Sequence, residues 1–144
     1  MTTVVKFHKT GGPEVLSVEN ALVGKPKRGE ARVRHTAIGL NYIDTYHRSG
    51  LYPLPLPTGV GLEGAGVVEA LGAGVTHVKV GDRVAYAGGP PGAYAQERVM
   101  PANKLVKIPK GVSDEDAAAM MLKGLTVHML IRRVYRVQQG ATVV

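Results

Sequence analysis

A mainly β chain that turns helical in its last third is the expectation for these 144 residues, on three observations. Short β-branched or alternating runs are separated by turn residues drawn from 19 Gly and 9 Pro. Beyond Pro109 the composition shifts to Ala, Met and Leu behind an acidic start. A hydrophobic share of 44% with 20% charged residues is that of a folded domain, and the length is enough to bury a core without staples.

The runs that read as strands are Val4 to Phe7, Ala31 to Ile38, Gly66 to Leu71, Arg83 to Ala87 and Ala93 to Val99. In the second, Val33, His35 and Ala37 alternate with Arg32, Arg34 and Thr36, so the two sets face opposite ways. Gly81-Asp82 is a turn into the strand at Arg83. Ser113 with Asp116 three residues later is a capping-box-like helix start, and the acids at 114–116 suit a helix N-terminus. Lys123-Gly124 should interrupt that helix. A second helix, Leu125 to Val134, is apolar nearly all round and should be buried on several sides. Gln138-Gln139-Gly140 reads as a turn, and Ala141 to Val144 as the beginning of a strand.

Composition also excludes some functions. With no cysteine there is no disulfide and no thiolate zinc site. The start, Met1 to Lys9, lacks the apolar stretch of a signal peptide, and no run approaches a membrane span. A cytoplasmic protein without membrane partners is the expectation. The net charge of +7 comes from scattered bases, densest at Arg132, Arg133 and Arg136. A solvated basic face is the first reading, a phosphate-bearing cofactor the second and nucleic acid the third. One Phe and no Trp leave little for base stacking.

Gly59-Val60-Gly61-Leu62-Glu63-Gly64 matches the dinucleotide fingerprint G-x-G-x-x-G letter for letter. The fingerprint works where a buried strand delivers glycines to a helix N-terminus. Here Pro53, Pro55 and Pro57 precede it, and a strand-like run follows, so that reading is refused.

Four segments come in a telling order. They are Gly39-Leu40-Asn41 through Tyr46 and Gly50-Leu51-Tyr52-Pro53, then Gly59-Val60-Gly61-Leu62-Glu63-Gly64-Ala65-Gly66-Val67-Val68. Val80-Gly81-Asp82-Arg83-Val84 with Gly92-Ala93-Tyr94-Ala95 comes third, and Ala117-Ala118-Ala119 leading to Lys123-Gly124-Leu125-Thr126 last. Together they resemble the medium-chain dehydrogenase/reductase superfamily, most closely its zinc-independent quinone oxidoreductases and their zeta-crystallin relatives. The resemblance runs from Val4 to Val144. It implies a GroES-like, partly open β-barrel over 1–122 holding most catalytic groups. Two C-terminal helices would then lead to the first strand of a Rossmann domain, so that 123–144 are the opening of a truncated nucleotide-binding domain. It further implies NADPH as cofactor (NADH stays open), a quinone-like small-molecule substrate, and a homodimer in the full-length form. Zinc-dependent relatives carry Cys at the position of Asn41, His at Leu62 and a further Cys near Met121 to Gly124. All three are missing, and the five His residues are dispersed, so no metal is expected.

Without zinc the work falls to orienting a nicotinamide against an electrophile, for which a conjugated carbonyl is suited. Asn41 is a candidate to hydrogen-bond the nicotinamide or its ribose, or else it serves the turn after Gly39. Tyr46 and Tyr52 could line the cofactor and substrate pocket, with core packing as the other reading. Lys123 and Thr126 are placed at the start of the second helix. They face the cofactor if the resemblance holds, or are a solvated Lys and a capping Thr. Asp44 and Arg48, four apart, should pair with each other, and Glu63 should anchor the glycine-rich turn. Two functions result: an NAD(P)H-dependent quinone or enone reductase, inactive as this chain alone, or a non-catalytic GroES-like binding or structural protein, crystallin-like or RNA-binding.

Overall fold

The computed structural model describes residues 1–144 as two open antiparallel sheets and two helices. In chain order the elements are β1 (Thr2–Phe7), β2 (Leu16–Ala21), β3 (Glu30–Gly39), α1 (Tyr42–Ser49), β4 (Thr58–Gly59), β5 (Glu63–Leu71), β6 (Arg83–Ala87), β7 (Glu97–Pro101), β8 (Val106–Lys107) and α2 (Asp114–Met129). One sheet has the order β2-β1-β4 and the other β7-β3-β5-β6-β8. The sheets meet where Val5 N–H donates to the Tyr94 carbonyl at 2.7 Å and Gln96 N–H to the Thr3 carbonyl at 2.9 Å. This is the mainly β architecture with helix that the sequence leads one to expect, with the sheets left open.

The larger sheet is covered on both faces. Val33, Val68, Val84, Tyr86 and Met100 form the main core on one side. On the other, Ala65 and Ala85 meet Ala117 and Ala118 of α2. Alanines at the buried centre of this contact let the helix lie close to the sheet. Gly39 takes this furthest: a Cβ there would strike the Ala118 carbonyl oxygen and the Glu63 carboxylate. The glycine of the refused fingerprint at Gly61 has φ +90°, and a side chain there would enter the Tyr94 ring. Strand β5, not a helix, follows it.

A polar trio is built into the core. His35 Nδ1 lies 2.6 Å from the Ala95 carbonyl, an acceptor only, so this nitrogen carries the proton. Nε2 then accepts from the Tyr86 hydroxyl at 2.7 Å. The Arg98 guanidinium sits 5.6 Å over the Tyr86 ring. Burial, aided by the Arg98 charge, holds the His35 pKa below its ordinary value against the opposing Ala95 hydrogen bond.

Several local expectations are corrected. Val33 and His35 do share a face, but a register shift between His35 and Ala37 turns Ala37 to the α2 side beside Ala65. A β-bulge reverses the alternation there. The run Ala93 to Val99 is not one strand. Ala93 and Tyr94 donate their N–H groups to the Gly61 and Val60 carbonyls, and the ladder with β3 begins only at Glu97. Lys123-Gly124 does not break a helix: α2 runs unbroken from Asp114 to Met129, then relaxes into a π-helical turn over Leu130–Val134. The cap does form as read, with Ser113 Oγ accepting from Asp116 N–H at 3.0 Å. Leu125, Val127, Leu130 and Val134 are exposed, not buried on several sides. Residues 141–144 form no strand, having no neighbour to pair with. Asp44 and Arg48 do not pair: Asp44 accepts from Asn41 N–H and the Tyr94 hydroxyl, while Arg48 Nε donates to the Gly11 carbonyl.

Two outcomes test this packing. Met100→Ala, in a core where Met100 is 1% exposed, should lower stability by about 2–5 kcal/mol in urea denaturation. Because the folded pKa of His35 lies below the unfolded value of about 6.5, the neutral ring's contribution is complete above that pH and lost as pH falls towards the folded value. The urea midpoint should therefore drop between about pH 7.5 and 5.5, and drop less in His35→Gln.

Candidate functional site

Strands β3 and β5 end side by side, with Gly39 opposite Glu63 in the register. Glu63 and Ala65 point to the same side of β5, so Glu63 faces α2. It is completely buried. Its Oε1 accepts from Leu122 N–H of α2 at 2.6 Å, and its Oε2 from Asn41 Nδ2 at 2.6 Å. Isolated buried carboxylates are costly, and this one is satisfied from two elements distant in sequence.

Asn41 is the N-cap residue of α1. Its backbone N–H donates to Asp44 Oδ2 at 3.0 Å, and its side-chain amide is directed to Glu63 and Lys123. Lys123 Nζ donates to Asn41 Oδ1 at 2.9 Å and to the Leu40 carbonyl at 3.4 Å, and lies 4.0 Å from Glu63 Oε2. The lysine side chain is 60% exposed, so the ammonium stands at the mouth of a buried network. Thr126, one turn further along α2, donates to the Leu122 carbonyl at 3.0 Å. Neither residue starts a helix, as read from sequence; both lie within α2.

The tyrosines form a separate group. Tyr46 and Tyr52 meet edge to face at 5.4 Å between ring centres, and Tyr42 joins Tyr46 in the same way at 5.6 Å. Tyr52 is 49% exposed. A cavity of about 110 Å³ beside Asn41 is lined by Leu40, Asp44, Arg48, Val60 and Tyr94, but not by Tyr46, Tyr52, Lys123 or Thr126. A larger hollow of about 240 Å³, bordered by Lys6, Tyr94 and Arg98, holds none of the expected residues. Of the five, the structure joins Asn41 to Lys123 and Tyr46 to Tyr52, and no cavity is lined by all.

Sequence reasoning gave Glu63 only a turn to anchor, yet it is the hub. The signal was present: a carboxylate inside a strand flanked by Gly and Ala must find partners. Tyr94 was also passed over. Its phenol is pushed well above the ordinary range by burial first, then by the Asp44 carboxylate it donates to. No group of three or more His, Cys, Asp or Glu side chains is placed to hold a metal ion.

Asn41→Ala removes the donor to Glu63 Oε2 and should lower stability by about 1–3 kcal/mol in urea denaturation. Lys123→Ala, at the exposed end of the same network, should change it by less than about 0.5 kcal/mol.

Known proteins share this fold. The sequence matches the family described as "Alcohol dehydrogenase GroES-like domain" over residues 27–110. A quinone oxidoreductase of Pseudomonas aeruginosa is 54% identical over 144 residues, which is 99% of this chain and 44% of that protein. The crystal structure of a quinone oxidoreductase from Pseudomonas syringae pv. Tomato DC3000 superposes with TM-score 0.94 at 55% identity, covering 97% of this chain and 43% of that one. The Escherichia coli quinone oxidoreductase complexed with NADPH gives 0.92 at 49% identity, covering 94% and 42%. The chain thus spans less than half the length of these relatives. With the two sheets and the covering helix in place and the match running over residues 27–110, the chain belongs to the alcohol dehydrogenase GroES-like domain family and is similar to its quinone oxidoreductases.

Proposed function

We propose that this chain is the catalytic part of an NADPH-dependent quinone or enone reductase that works without zinc in the cytoplasm. One observation carries the reading: an exposed ammonium, Lys123, is held 2.9 Å from the Asn41 amide oxygen at the mouth of the site. The Escherichia coli relative complexed with NADPH supports it. NADH remains an alternative cofactor.

The donor set suits a nicotinamide. Lys123 has a third N–H beyond those given to Asn41 and Leu40, and Asn41 Nδ2 has a second hydrogen beside the one on Glu63. These groups would hold the carboxamide or ribose oxygens, with the Thr126 hydroxyl one helical turn away. When bound, the cofactor supplies a hydride to the conjugated carbonyl. Tyr46 and Tyr52 would cover the reacting face with their rings and exclude water. The Lys123 ammonium and the tyrosine hydroxyls offer donors to an oxygen gaining negative charge.

The donor set does not suit a catalytic zinc, which takes three protein ligands. Asn41 and Leu62 occupy the positions the resemblance assigns to ligands, and Glu63 is taken up by Asn41 and Leu122. In this reading residues 1–122 are the catalytic domain, and 123–144 lead into a nucleotide-binding domain through which the whole protein dimerises.

Titrating the ¹⁵N-labelled chain with NADPH tests the assignment. Resonances of Asn41, Lys123, Thr126, Tyr46 and Tyr52 should move, while adenosine 2′,5′-bisphosphate, which lacks the nicotinamide, should leave them in place. Lys123→Met should weaken NADPH binding about tenfold, the loss of one charge-assisted hydrogen bond. If these five positions stay still at NADPH concentrations that shift other resonances of the chain, or respond to RNA instead, the reductase reading is wrong.

A further inference from the structure

We propose that Glu63 is a positioning residue that fixes which way round the Asn41 amide lies and so keeps an acceptor oxygen turned towards Lys123. An ionised carboxylate only accepts, an ammonium only donates, and an amide has one end of each kind. Asn41 stands between the two, with Nδ2 2.6 Å from Glu63 Oε2 and Oδ1 2.9 Å from Lys123 Nζ. The reverse orientation would set an oxygen against the carboxylate and an NH₂ against the ammonium. Only one arrangement has consistent polarity, and the fully buried Glu63 imposes it.

Glu63 cannot turn aside to relax this demand. Its other oxygen is held by Leu122 N–H at 2.6 Å, from the residue before Lys123. The strand opposite contributes Gly39, where any side chain would collide with the carboxylate. The same carboxylate therefore sets both the amide orientation and the seat of the lysine on α2. For the reductase reading, on which this consequence rests, Glu63 keeps the remaining Lys123 N–H aimed at the ligand without touching the ligand itself.

Glu63→Gln offers one acceptor and one donor where there were two acceptors. The acceptor is claimed by Leu122 N–H, so the new NH₂ meets Asn41, which must turn over and present its own NH₂ to Lys123. Adding Asn41→Asp restores a consistent run of donors and acceptors. The readout is the acetylation rate of Lys123 in the whole chain with acetic anhydride, followed by mass spectrometry with Lys25 as internal reference. Glu63→Gln should raise the relative rate about two- to threefold, as expected for losing a hydrogen bond at an exposed ammonium, and the paired substitution should return it to the native rate.

An unchanged rate in a folded Glu63→Gln chain overturns the proposal, as does failure of the pair to restore protection in a folded chain. Should Glu63→Gln alone not fold, a folded pair with native protection supports the proposal, and a pair that does not fold overturns it. The measurement needs no cofactor. Loss of the reductase reading through absent NADPH binding therefore leaves this result standing, and the two failures are distinguishable.

Discussion

A carboxylate without access to water sits where the central strands meet the last helix, and the site is arranged around its need for donors. Removing a charged oxygen pair from water is expensive, and partners must come from wherever the chain can bring them. Leu122 gives a backbone N–H from α2, and Asn41 gives a side-chain N–H from the entrance to α1. Gly39 gives space. Satisfying Glu63 thus joins three segments far apart in sequence, and the exposed lysine is seated as a by-product of that junction.

Local signals were legible. The β-branched run at Val4, the alternation from Ala31 as far as His35, the Gly81-Asp82 turn and the Ser113 cap each follow from neighbours a few residues apart, and each appears in the structure. Tertiary choices were not. Gly124 costs about 1 kcal/mol in a helix interior, which argued for a break. Ala117 and Ala118 packed on the sheet, and the Glu63 contact at Leu122, hold that segment helical regardless. The bulge that turns Ala37 towards α2 answers the same contact and leaves no mark on the period-two pattern. Helix α1 went unread even though Asn41 with Asp44 three residues later is a helix-start spacing.

The site itself was legible only through resemblance. Asn41 and Lys123 are 82 residues apart, and no spacing rule connects them. The tyrosines were chosen for their chemistry, and the structure gives them a shared aromatic cluster separate from the amide and ammonium. Glu63 shows the opposite case. Its chemistry, a charge among glycines and alanines, announced a buried partner, but which partner depended on how strands and helix come together.

The pairing of Gly39 with Glu63 places one half of the site on two interior strands of the five-stranded sheet, while Tyr46 rides on a short helix and Tyr52 on the segment after it, ahead of Pro53, Pro55 and Pro57. Central strands covered on both sides open only with the whole domain, whereas short peripheral helices open by themselves. The two halves should therefore differ in how long their amide protons survive in heavy water: those around Glu63 should persist until global unfolding, and those around Tyr46 should be replaced early. A ligand spanning both would find one wall already fixed and the other still to be ordered.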